Sequence, residues 1–126
     1  EEIFSESDKQ VNTFQYGYEC TMQLLDENPE LDAVIAALDI QGLGVIRALK
    51  ERGVPMPEKV KVLSLTGHHL GGMLQTSMTS LEMPARQMGE KAAQMLISDI
   101  DAAAAGKPNS PMHISFPHTL VEREST

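Results

Sequence analysis

Two adjacent histidines, His68-His69, sit in the glycine-rich stretch Thr66-Gly67-His68-His69-Leu70-Gly71-Gly72. Imidazoles are common metal ligands, but neighbouring side chains on regular backbone seldom reach one ion. The single cysteine, Cys20, is far away in sequence. The pair therefore reads as loop histidines, with no metal site. Cys20 lies between Glu19 and Thr21, with no cation beside it to favour a thiolate, and reads as a packed thiol. Ser64, Ser77 and Ser80 lack the glycine pattern of a nucleophile elbow. Gly67 to Gly72 lacks both the Lys-Ser/Thr of a P-loop and the spacing of a dinucleotide fingerprint. Glu27, Glu30 and Asp32 read as a solvated rim. No catalytic constellation emerges, and no cofactor is called for.

The remaining chemistry is positional, and it depends on the elements that carry these residues. Tyr18, Met22 and Leu25, with Leu24 beside them, give a helical stripe over Tyr16 to Glu27, broken at Asn28-Pro29. Ala33 to Leu38 is continuously apolar, the mark of a parallel strand buried on both faces. Asp39 follows as a possible helix cap, and Ile40, Leu43, Ile46 and Leu49 form the next stripe, stopped by Gly53. Gly42 and Gly44 each cost this helix about 1 kcal/mol against alanine, so something is expected to approach its backbone closely. Val60 to Leu65 is a second strand. Strand, helix and strand make a right-handed parallel crossover. Further along, Met78 to Glu82 reads as extended. Met83-Pro84 opens a helix with the stripe Met88, Ala92, Met95, Leu96 and Ile100. Ala102 to Pro111 reads as a loop, and Met112–Phe116 and Thr119–Val121 as short extended pieces. At the beginning, Glu2 to Glu6 reads as a short strand and Ser7 to Gln15 as a loop.

The fold class is therefore α/β with a largely parallel sheet. Ligands of such sheets bind beyond the carboxyl ends of the strands. Leu38-Asp39-Ile40 and Thr66-Gly67-His68-His69 occupy that place. Asp39 suits capping somewhat better than ligand contact.

Composition narrows the partners. Ten Lys and Arg against eighteen Asp and Glu leave a net charge of −8, which repels nucleic-acid phosphate, so no DNA contact by this chain is expected. No apolar run approaches the ~18 residues of a membrane span. Aromatic content is only 4%, so the core is aliphatic, with eight methionines filling gaps. The chain begins at Glu1 rather than Met, which reads as a truncated or processed product.

Five blocks, in order, resemble the lactose-repressor/galactose-repressor family. Tyr16-Gly17-Tyr18 is similar to the start of one of its helices. Asp32 to Asp39, followed by Gly42 to Leu49, looks like its strand-and-helix block ending in Asn-Asp. Gly53-Val54-Pro55-Met56-Pro57-Glu58 to Leu63 resembles the next block. Met78 to Pro84, with Met88-Gly89 and Ala92-Ala93, is similar to the one after. Leu120 to Thr126 is like the family ending. The resemblance implies a three-layer fragment of a type I periplasmic-binding-protein-like domain, the C-terminal part of an effector-binding core. Residues 1–82 would belong to its second subdomain, 83–118 to the first, and 119–126 to the second again.

The resemblance also implies a cytoplasmic, non-catalytic sensor of a small-molecule effector, a sugar or sugar phosphate. Operator DNA would be bound by a headpiece outside this chain. A fragment of a periplasmic sugar-binding protein serving a transporter is the alternative. The effector site would be one wall of a cleft, with Leu38, Asp39, Thr66, His68, His69 and Met83 facing it. A homodimer would pair through Leu43, Ile46, Met73 and Leu74. Three positions depart from the family: its Asn is Leu38, its acidic sugar-hydroxyl acceptor is Thr66, and its Gln is Met83. A hydroxyl bonds a sugar more weakly than a carboxylate does.

Overall fold

The structure is a computed structural model that describes residues 12–67, 69–107 and 111–126. The strand expected over Glu2 to Glu6, and His68, lie outside the described residues. Helix α1 (Phe14–Glu27) starts from Thr13, whose hydroxyl accepts the Tyr16 N–H at 3.1 Å. That bond satisfies one of the amides a helix start leaves over. Strand β1 (Ala33–Ala36), helix α2 (Asp39–Glu51) and strand β2 (Lys61–Gly67) follow, then a 3-10 turn (His69–Met73) and strand β3 (Thr79–Glu82). Helix α3 (Ala85–Ala104) and strand β4 (Thr119–Val121) complete the order. Met112 to Phe116, expected to be extended, forms no strand.

The sheet runs β1-β2-β3-β4. β1 pairs parallel to β2, with Val34 opposite Val62, as the crossover requires. β2 pairs parallel to β3, with a register shift between Ser64 and Gly67. Helix α2 stops where expected: Gly53 takes φ 64, and the Val54 N–H reaches back to the Leu49 carbonyl at 2.9 Å.

One face of the sheet is packed. Ala36, Val60, Val62 and Met78 meet Val45, Ile46 and Leu49 of α2, and Leu25 of α1 reaches the same cluster. The opposite row is open: Ile35 is 65% exposed, and Leu65 is also exposed. The expectation that β1 is buried on both faces is therefore corrected. Side chains alternate across a strand, and the described helices that touch this sheet cover one side of it. Continuous apolarity reported the demand for cover, not its presence. Of the three expected layers, the described residues of this unit supply two.

The two helix glycines do what their cost implied. A Cβ on Gly44 would collide with the backbone of Phe14 and Tyr18, and one on Gly17 with the backbone of Gln41. Helices α1 and α2 thus cross backbone to backbone. Gly42 makes room for the Met78 thioether. Surface pairs hold the crossing at its margins: the Tyr18 hydroxyl donates to Glu51 at 2.6 Å, and Arg52 pairs with Asp26.

The chain divides into two compact units. One takes the residues up to Glu82 with Leu120–Thr126, the other Met83–Thr119. In the second, α3 has the expected amphipathic stripe but no buried residue, and Leu96, Ile97 and Ile100 are exposed. Met95 and Ala102 of α3 line a groove with Met112.

The crossing predicts opposite signs for two similar substitutions. Gly44→Ala should destabilise by about 1–3 kcal/mol despite its better helix propensity, because two backbones must separate. Gly89→Ala, whose new methyl meets nothing within 4 Å, should stabilise by about 0.5–1 kcal/mol. Urea unfolding of both variants checks this, and shifts of the same sign would refute the close crossing.

Candidate functional site

The carboxyl ends of β1 and β2 lie side by side, and Thr66 ties them together. Its hydroxyl donates to the Ala37 carbonyl at 2.9 Å, while its own N–H makes a long bond, 3.4 Å, to the Ser64 hydroxyl. With its proton committed to Ala37, the Thr66 oxygen faces any further partner as an acceptor. Ala37 is exposed, and Leu38 and Thr66 are half-buried. Two of the expected site segments are thus adjacent in space.

Asp39 is not the helix cap. That position belongs to Leu38, in extended conformation at φ −128 and ψ 148, whose N–H donates to the Gln41 side chain at 3.0 Å. Asp39 is one residue further in, in the first turn of α2, and only 5% exposed. A carboxylate there is favoured by the partial positive charge of the helix start. Gln41, three residues after the cap, satisfies the Leu38 N–H, as the N3 glutamine of a capping box does.

His69 opens the 3-10 turn directly after β2. Met83 is half-buried and belongs to the other unit. Among the expected partner-facing residues, Ile46 is corrected: it is 7% exposed and part of the core cluster, because the buried stripe of α2 runs through Val45, Ile46, Ala48 and Leu49. Leu74 packs against the same cluster. Leu43 is half-buried, and Met73 is 78% exposed.

A second constellation was not anticipated. The last residues fold into the mouth between β2 and β3. The Val62 N–H donates to the Ser125 carbonyl at 2.8 Å, and the Ser125 hydroxyl donates to the Val62 carbonyl at 2.6 Å. The same hydroxyl accepts the Thr79 N–H at 2.8 Å. Thr79 in turn accepts the Arg123 N–H at 2.8 Å. The Arg123 guanidinium spreads over β3: Nη1 donates to the Met78 carbonyl at 2.8 Å and to the Ser80 hydroxyl at 2.7 Å, and Nη2 donates to Glu82 at 2.7 Å. Ser64, Thr79, Ser80 and Ser125 are all buried. The signal was present as polar residues on a strand otherwise expected to be apolar, which require partners when buried.

Charge follows contact on the surface. Glu124 accepts the Ser77 N–H at 2.8 Å and its hydroxyl at 2.9 Å, and these bonds hold its carboxyl below the usual range. Glu51 is lowered by the Tyr18 hydroxyl and then by Arg47, and the same bond raises Tyr18.

Residues 5–126 match the family described as periplasmic binding protein-like domain. The chain belongs to that family. Within it, the resemblance to lactose-repressor-type regulators holds. The transcriptional regulator CelR of Thermobifida fusca is 32% identical over 90% of this chain and 32% of its own length. The ribose operon repressor of Halalkalibacterium halodurans is 30% identical over 84% of this chain and 31% of its own. The chain thus spans about a third of the length of these curated relatives. Among solved structures, a CelR–cellobiose complex superposes with a TM-score of 0.81, at 30% identity, over 91% of this chain and 34% of that one. A lactose complex of a LacI family regulator from Arthrobacter sp. FB24 gives 0.78, also at 30% identity, over 91% of this chain and 42% of that one.

A titration tests the tail contact of this periplasmic-binding-protein-like domain. Because the Glu124 pKa is depressed by Ser77, the contact stabilises at pH above the unfolded carboxyl value and is lost as pH falls through the folded one. Ser77→Ala removes the hydroxyl donor but not the N–H, so the Glu124 pKa should rise part of the way to its ordinary value. Carboxyl NMR would show it; an unchanged titration would mean the hydroxyl bond is not made.

Proposed function

We propose that this chain is the effector-sensing part of a sugar-responsive transcriptional regulator, with operator DNA bound by a headpiece outside it. The observation that carries the reading is the convergence of Leu38-Asp39 and Thr66 at adjacent exits of parallel strands, in a chain whose relatives include regulators with bound cellobiose and lactose. Leu38 and Thr66 face the effector in this reading, and His68, His69 and Met83 are added as contacts on the family resemblance alone. Asp39 acts behind them, since it is buried. Residues up to Glu82 with 119–126 form the second subdomain of the core, and 83–118 belong to the first. A homodimer pairs through Leu43, Met73 and Leu74, the three expected residues that keep accessible apolar surface. The curated relatives named above are regulators, which favours this over a transporter's binding protein.

Calorimetry of the full-length protein with cellobiose, lactose and ribose tests the reading. One of these sugars should bind, and Thr66→Val should weaken it by up to about tenfold, the cost of one hydrogen bond to a neutral group. Binding by none of them would overturn the sugar assignment. Binding that neither Thr66→Val nor Thr66→Asp alters would overturn the placement of the site.

A further inference from the structure

We propose that Arg123 is a positioning residue for the rim: its guanidinium sets the Gly71-Gly72 part of the 3-10 turn that follows β2. Three observations carry this. The Arg123 side chain is only 16% exposed, and its two terminal nitrogens make three bonds at 2.7–2.8 Å to Met78, Ser80 and Glu82, so its plane is fixed. The turn lies beside that plane, with room for a methyl group toward it. A Cβ built on Gly71 would stand 3.6 Å from Nη1, and one on Gly72 would stand 3.7 Å from Nε. The turn is also closed onto the strand that Arg123 grips, through the Met78 N–H to the Gly71 carbonyl at 2.9 Å.

The geometry requires arginine rather than simply a cation. A planar fork reaches a carbonyl, a hydroxyl and a carboxylate along one strand and still offers a flat face to glycine backbone. A lysine ammonium gathers its donors on one atom and cannot span Met78 and Glu82 together. Arg123 also stands where the chain connectivity changes. Glu82 is the last residue before the chain leaves this unit, and Leu120 the first after its return. The ion pair therefore fastens the outgoing strand to the incoming one, beside the turn that follows the rim.

Hydrogen–deuterium exchange of the full-length protein tests this without an effector. Arg123→Met should speed exchange at residues 71–74 and at Met78 by about tenfold or more, while α1 and α2 keep their protection. Arg123→Lys should give the same pattern, more weakly. Glu82→Gln, which keeps the acceptor and both Nη1 bonds, should leave the turn unchanged. Unaltered exchange at the turn in Arg123→Met, or loosening spread evenly over α1 and α2, would overturn the proposal. So would recovery of full protection in Arg123→Lys. The link to the rim rests on the proposed function, and affinity is its readout: Arg123→Met should weaken the bound sugar about tenfold, with Arg123→Lys between. Localised loosening with unchanged affinity would overturn that link. Failure of the wild type to bind any sugar would refute the sensor reading while the exchange data still decide the role of Arg123.

Discussion

Ser125 occupies the point where β2 and β3 begin to pair, and the sheet depends on it. Parallel strands start with amides and carbonyls that neither neighbour satisfies. Here the Val62 N–H, the Val62 carbonyl and the Thr79 N–H would all be buried without partners. Each unsatisfied group costs about 1–3 kcal/mol, a large share of a domain's net stability. One serine, through its carbonyl and its hydroxyl, satisfies all three. The bonds also fix the end of the chain, which places Arg123 over β3 and, through it, the turn beyond β2.

The second constraint is the glycine crossing of α1 and α2. Two helices whose backbones touch cannot slide without opening a gap, so Gly17 and Gly44 set the height of α2 over the sheet. Val45, Ile46 and Leu49 then pack onto Val62 and Met78, and the amino end of α2 arrives at the exit of β1. The rim is the meeting of these two constraints. The tail aligns β2 with β3, the crossing aligns α2 with β1, and the Thr66 hydroxyl joins the two halves at Ala37.

These dependencies explain what was legible in the residues alone. The strands β1 to β4, the parallel crossover, the helix stop at Gly53 and the close approach to Gly44 follow from local pattern, and the structure has them, while Met112 to Phe116 forms no strand. The rim segments were legible too, because strand exits are implied by strand order. The Ser125 and Arg123 network was not, since it joins residues more than forty positions apart. Nothing local marks a polar residue near a chain end as structural. Ile35 misled for a different reason: an apolar strand states which faces need cover, while the covering element can lie elsewhere in the protein. The cap lies one place before Asp39, a shift within the ordinary variation of a helix start, and Ile46 keeps its place on the apolar stripe but spends it on the core rather than on a partner.

The chemistry of the rim constrains what it can recognise. The Thr66 hydroxyl donates its hydrogen bond to the Ala37 carbonyl, and Leu38 brings hydrocarbon where the resembling family brings an amide. In the proposed reading, Thr66 and Leu38 give this wall an acceptor and apolar surface, with the Asp39 carboxyl buried behind them. In that same reading, a bound hydroxyl donates to Thr66, and the face it presents to Leu38 is one whose desolvation is cheap. Burying an unsatisfied sugar hydroxyl against leucine would cost more than the contact returns. If that reading holds, selectivity by such a wall comes from rejecting hydroxyls at one position while accepting a donor at the next. That is a sharper filter than a carboxylate, which accepts from almost any orientation of the same ligand.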